Sequence, residues 1–166
     1  MSILPDVLGP NLKVVFCGTA AGDKSAKARA YYAGPQNKFW DVLHQVGLTP
    51  KRLPPQDFRK LLKRGIGLTD LAKGVSGTDD KISFRKGDRK SLASKISNYR
   101  PRVVAFNGKR AAQEYFRRKV DYGRQDEQIE SSVVFVLPST SAAARRYWNE
   151  KFWKELARFV RKVPTK

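Results

Sequence analysis

Wherever an apolar run of this chain stops, small or polar side chains take over. Val14-Val15-Phe16-Cys17 runs into Gly18-Thr19-Ala20-Ala21-Gly22-Asp23. Val103-Val104-Ala105-Phe106 runs into Asn107-Gly108-Lys109, and Val133-Val134-Phe135-Val136-Leu137 into Pro138-Ser139-Thr140-Ser141, three alanines and Arg145-Arg146. Small residues let a ligand approach the backbone and its N–H groups. An ammonium beside the amides of a helix N-terminus, as at 107–109, favours an anion. Hydroxyls and backbone amides followed by Arg145 make a clamp for phosphates or for an opened base pair. Between the first two clusters lie adjacent tyrosines, Tyr31 and Tyr32, whose rings offer stacking faces. The combination fits binding of a single base flipped out of nucleic acid, with tyrosine stacked on it.

Charge supports that reading. The 34 Lys+Arg against 15 Asp+Glu give a formal net charge of +19, and the natural partner of such a surface is a polyanion. Nucleic acid ranks first and an anionic membrane second, because no strongly amphipathic anchor is evident. No apolar run reaches the roughly 20 residues that span a bilayer, and residues 1–10 lack the pattern of a signal peptide. The single cysteine, Cys17, lies in an apolar run and reads as a buried thiol. One histidine and one cysteine do not make a zinc site.

A chain of 166 residues is expected to form one domain. Residues 1–12, broken by Pro5, Gly9 and Pro10, read as an arm. Strands are expected at 13–17, 102–106 and 132–137, buried on both faces as in a parallel sheet. The segment 65–70 reads as a short strand or turn presenting Thr69 and Asp70. Helices are expected from Asn37 to Val46, over 56–63 with Phe58, Leu61 and Leu62 inward, over 88–99 with Leu92 and Ile96 inward, from 109 to 116, and over 149–162 with Phe152, Trp153, Leu156, Phe159 and Val160 on one stripe. Asp23–Ala30 carries helix formers. Residues 74–81 and 122–130 read as loops. His44 points off the stripe of its helix and reads as a surface residue. The fold class that follows is α/β: a three-layer α/β/α sandwich around a central, mostly parallel sheet. In such a sheet the strand ends, and so the three loops, converge on one edge.

Read with their spacing, these pieces resemble the uracil-DNA glycosylase superfamily, most nearly its mismatch-specific uracil/thymine-DNA glycosylases, with some likeness to the hypoxanthine-DNA glycosylases. Gly18–Gly22 stands where that family has G-I-N-P-G. Tyr32-Ala33-Gly34-Pro35-Gln36-Asn37-Lys38-Phe39-Trp40 matches an aromatic followed by P-x-N-x-F-W. Gly65-Ile66-Gly67-Leu68-Thr69-Asp70 matches GIGxT-N, Phe106-Asn107-Gly108-Lys109 is an intact FNGK, and Leu137-Pro138-Ser139-Thr140-Ser141-Ala142 matches M-P-S-S-S-A. Each piece alone is weak, whereas five in family order are strong.

The resemblance implies roles. Tyr32 is the aromatic that stacks on the extrahelical base, Thr19 and Ala20 offer it backbone groups, and Asp70 reads its edge. Asn107 and Lys109, with Ser139 and Thr140, grip phosphates flanking the lesion. Ser141, Ala142 and Ala143 form the loop that fills the hole left by the flipped nucleotide, and their small size implies weak plugging. The family's water-orienting Asn or Asp is Ala20 here, so another group must hold the water: Asp23 first, with Asn37 supporting it, unless these merely cap helices. The implied activity is monofunctional hydrolysis of the N-glycosidic bond of uracil in single- and double-stranded DNA, leaving an abasic site. No metal or other cofactor is implied. A cytoplasmic monomer acting on DNA that contains uracil or abasic sites is expected. The rival, supported by Ala20, is a non-catalytic binder of the same DNA.

Overall fold

The computed structural model describes residues 2–78 and 82–164. The last part of the loop expected over 74–81 therefore lies outside the described residues. Five strands, β1 Val14–Gly18, β2 Ile66–Asp70, β3 Val103–Asn107, β4 Gly123–Arg124 and β5 Val133–Leu137, form one sheet in the order β2-β1-β3-β5-β4. β1 pairs in parallel with β2 and β3, and β3 with β5. β4 is a two-residue antiparallel edge within the segment expected as a loop.

Alternation along the strands divides the core in two, because successive side chains point to opposite faces. Val14, Phe16, Val103, Ala105, Phe135 and Leu137 pack on one face. Covering them are α2 Phe39–Gln45, α5 Glu150–Lys162 and a 3-10 helix, Pro55–Arg64. Cys17, Val104, Phe106, Val134 and Val136 pack on the other face, under α3 Lys86–Tyr99 and α4 Lys109–Phe116. This is the expected three-layer α/β/α sandwich. A sixth helix, α1 Asp23–Ala28, lies just past the first strand. Cys17 is fully buried, and burial pushes its thiol well above the ordinary value, as expected of an unreactive thiol.

One expectation needs correcting. The segment over 56–63 is 3-10 rather than α-helical, and Leu62 is 40% exposed while Phe58 and Leu61 are buried. With three residues per turn, positions 58 and 61 share an edge and 62 rotates off it. The N-terminal arm packs against the body of the domain. Leu4, Val7 and Leu12 are buried, and Val7 and Leu68 exchange backbone hydrogen bonds of 2.9 and 2.8 Å. Gly67 permits this: a Cβ there would lie 2.6 Å from the Val7 carbonyl and 2.8 Å from Leu12.

Candidate functional site

The sheet reverses direction of growth between β1 and β3. β2 lies on one side of β1, and β3 followed by β5 on the other. The loops leaving β1 and β3 therefore diverge and open a crevice at the carboxyl ends of the strands. A cavity of about 580 Å³ sits there. It is lined by all three of the loops the sequence singles out, and by Tyr31, Tyr32, Asn37 and Asp70.

Tyr32 forms one wall. Its ring stacks on Phe39 at 4.0 Å between centroids, and Phe39 in turn meets Phe16 and Trp40 edge-on at 5.3 and 5.1 Å. The loop is fixed from several sides. Ser25 Oγ accepts from the Ala33 N–H at 3.0 Å, and Trp40 Nε1 donates to the Tyr31 carbonyl at 3.0 Å. Tyr32 itself takes a left-handed φ of 53°, an unfavourable state for a bulky residue. Such strain persists only where the surroundings enforce it, and it clusters at functional positions.

Asp70 ends β2 beside Gly18, its pairing partner at the end of β1. It is 4% exposed and lines the cavity. A Cβ added at Gly18 would fall 2.7 Å from Asp70 Oδ1 and 3.2 Å from the Tyr32 hydroxyl. A carboxylate and a phenol thus crowd one point of the wall, and only glycine leaves room for them. The segment after β2 zips onto the first loop: Leu71 N–H donates to the Gly18 carbonyl, Ala72 N–H to that of Thr19 and Gly77 N–H to that of Ala21, at 2.8, 2.8 and 3.0 Å. Of the Thr19 and Ala20 backbone groups assigned to a base, the Thr19 carbonyl is thus already engaged.

Asp23 and Asn37, the two residues expected to hold the water, both line the cavity. Asp23 is the first residue of α1 rather than its cap, which is Gly22, and its Oδ1 accepts from Ser76 Oγ at 3.4 Å. Asn37 Oδ1 accepts from the Phe39 N–H at 3.0 Å, so it does bind the start of α2. Ala20 lines the cavity too, and its side chain is a methyl group with no polar atom.

The groups assigned to DNA divide. Asn107 and Thr140 are 6% and 1% exposed and face one another. Asn107 Nδ2 donates to Thr140 Oγ1 at 3.0 Å, and Thr140 N–H donates to Asn107 Oδ1 at 3.1 Å. Their side chains lock β3 to the loop after β5, and both residues line the cavity. Ser139, half-buried, accepts from Ser141 N–H at 3.2 Å. Ser141, Ala142 and Ala143 line the cavity, whereas Lys109 and Arg145 lie outside it. Lys109 Nζ sits 4.3 Å above the Tyr122 ring, and Arg145 Nη2 donates to Gln36 Oε1 at 3.2 Å.

An ionic cluster behind the site has no clear signal in the sequence. Asp6 of the arm receives Thr69 Oγ1 at 2.6 Å, Lys73 at 2.9 Å and Lys95 at 2.8 Å. Burial pushes its carboxyl up, but Lys73, Lys95 and Thr69 outweigh that and hold it below the ordinary value. Lys73 Nζ also donates to the Tyr31 hydroxyl at 2.9 Å, which donates to the Pro5 carbonyl at 3.0 Å. Burial, reinforced by Asp70 and Asp6, raises the Tyr31 phenol well above its usual value, so it stays protonated. Of the arm, Leu4 lines the cavity, and Pro5 and the Asp6-bound Lys73 hold the hydroxyl of Tyr31, another lining residue.

A family model described as the uracil DNA glycosylase superfamily matches residues 5–161. Among solved structures, the chain is similar to a solution NMR structure of a protein from Methanosarcina acetivorans described as a candidate uracil DNA glycosylase. The TM-score is 0.64 at 24% identity, over 95% of this chain and 96% of the other. At that identity the likeness speaks for the fold. No helix among the described residues is long and apolar enough to cross a membrane.

Proposed function

The chain belongs to the uracil DNA glycosylase superfamily, and from that premise we propose that it hydrolyses the N-glycosidic bond of uracil in single- and double-stranded DNA, leaving an abasic site. The observation that carries the reading is the paired arrangement of Tyr32 and Asp70 across Gly18, in a cavity at the carboxyl edge of the sheet. A flat ring laid on the face of Tyr32 brings its polar edge toward a buried carboxylate. An imino N–H of the base then donates to Asp70, and the phenyl stack of Tyr32 on Phe39 keeps the platform from yielding.

Cleavage of the C1′–N1 bond leaves the electron pair on the departing base and an oxocarbenium-like sugar. Little covalent help is needed beyond a positioned water and a held leaving group. Water adds its oxygen to C1′ and loses a proton, which the departing uracil anion takes up, so the products are neutral uracil and an abasic sugar. Asp23, with Asn37 supporting it, orients that water, as the Ala20 side chain has no polar group to do so. Outside the cavity, Lys109 and Arg145 add to the positive field that draws the phosphate backbone. Asn107 and Thr140 act indirectly, by holding the loop of Ser139 and Ser141 at the rim. The enzyme acts as a monomer, without a lyase step, and works in the cytoplasm, on the nucleoid if the source is a bacterium.

A panel of oligonucleotides, each with one uracil, hypoxanthine or G-paired thymine, tests this. Incubation followed by alkali is expected to break the uracil strands, single and duplex, at the altered site. Uracil strands that stay intact overturn the reading. Retention of the same intact strands in a gel shift would then select the rival, a binder without catalysis, which the Ala20 methyl favours.

A further inference from the structure

Tyr147 is the most exposed large apolar side chain among the described residues, at 55%, against 36–40% for Ile3, Leu62 and Tyr99. Alone of these four, it lines the cavity. It ends the 3-10 turn Ala142–Tyr147, whose earlier members offer nothing longer than a methyl group until Arg145. A nucleotide turned out of a duplex leaves a gap of about 3.4 Å along its strand, one aromatic ring thick. Alanine and serine at 141–144 do not fill such a gap, whereas a tyrosine ring does. Proteins that unstack a base step insert apolar wedges of this kind.

The ring stands on a firm base. Trp148, the next residue, packs 6.0 Å from the fully buried Trp153, carries the Lys38 ammonium 4.7 Å above its own ring, and donates its N–H to the Arg145 carbonyl at 3.1 Å. The Arg146 guanidinium lies 5.1 Å from the Tyr147 ring. Tyr147 is also close enough to Tyr122 to help raise that phenol, after burial, above its ordinary value, and Lys109 lies over Tyr122. An exposed aromatic beside an arginine, lining a cavity, is a surface suited to nucleic acid.

We propose that Tyr147, rather than the small residues at 141–143, enters the duplex stack in place of the everted nucleotide, with Arg146 moving against the neighbouring phosphate. The inference rests on the glycosylase reading, since a wedge has a purpose only where a base is extruded. A single strand has no partner stack to hold open, so the wedge matters for duplex alone.

Single-turnover release of uracil, measured on one sequence as a single strand and as a duplex, separates the two ideas. Tyr147→Ala is expected to lower the ratio of duplex to single-strand rate about tenfold, and Tyr147→Phe to keep the parental ratio. An unchanged ratio for Tyr147→Ala overturns the wedge, including the case where both rates fall together. If the parent protein releases no base from either form, the hydrolysis reading fails by itself. The wedge is then read from binding to duplex carrying a tetrahydrofuran abasic analogue. Loss of the preference for that duplex over intact duplex in Tyr147→Ala supports it, and a preference kept in full overturns it.

Discussion

Tyr32 and Tyr147 border the same cavity but are held in different ways. Tyr32 sits in a strained left-handed turn, stacked on Phe39 and backed by the core. Tyr147 stands 55% exposed at the end of a 3-10 turn with no buried residue, with the Arg146 guanidinium 5.1 Å from its ring and Trp148, the next residue, packed on Trp153. The first arrangement suits a surface that must not adapt, as the proposed partner, a single rigid ring, requires. The second suits a surface completed by its partner, as the proposed wedge requires. On these proposals, recognition of the base and opening of the strand are separated along the chain, one between β1 and α2, the other after β5.

Perturbing the inner wall should have the larger consequences. Gly18→Ala places a methyl group against Asp70 Oδ1 and the Tyr32 hydroxyl. Shifting a reacting arrangement by an ångström can lower a rate about 100-fold, so kcat/KM for uracil release should fall by that order, with an overpacking cost of about 1–3 kcal/mol that also lowers Tm. A variant with normal turnover would show that Asp70 and Tyr32 have no fixed relation to the base. Tyr32→Ala removes a stacking face worth about 1–3 kcal/mol. Affinity for uracil-containing DNA should weaken about 10- to 100-fold, with affinity for undamaged DNA nearly unchanged, as read by fluorescence anisotropy.

The next effect is on stability and reaches the cavity through the arm. Asp6→Ala removes the acceptor of Thr69, Lys73 and Lys95 and should destabilise the fold by about 2 kcal/mol, the scale of hydrogen bonds to a charged group. Because the folded pKa of Asp6 lies below the ordinary carboxyl value of 3.8, its contribution is complete above that value and fades as pH falls through the folded pKa. Denaturant titrations of the parent and Asp6→Ala should therefore differ most near neutrality and converge in strong acid. The smallest effect belongs to the outer surface. Lys109→Ala should lower the slope of log affinity against log salt by about 1 and weaken damaged and undamaged DNA alike. A selective loss for damaged DNA would place Lys109 at the base rather than at the backbone.

The parts of the molecule written in local pattern were legible in the sequence. Apolar runs bounded by small residues located β1, β3 and β5, and the 3.6-residue stripe of Trp153, Leu156 and Val160 located α5. Family-ordered motifs drew attention to Gly18, Tyr32 and Asp70, which the fold then brings together. What escaped depends on contacts between distant segments. Nothing near Asp6 announces Lys73 and Lys95, and the pairing of Asn107 with Thr140 spans 33 residues. Leu62 was misplaced because α and 3-10 periods diverge within one turn. Tyr147 had a signal that went unused: an aromatic directly after two arginines, beyond a stretch too small to fill a gap.

The central claim is that one everted base lies on Tyr32 with its edge toward Asp70. A crystal structure with an oligonucleotide carrying 2′-fluoro-2′-deoxyuridine, whose glycosidic bond resists cleavage, tests it most directly. The account predicts uracil inside the cavity, its ring parallel to the Tyr32 phenol and its imino nitrogen within hydrogen-bonding distance of the Asp70 carboxylate. Uracil still stacked in its strand, or bound on a different wall with Tyr32 bare, would contradict it.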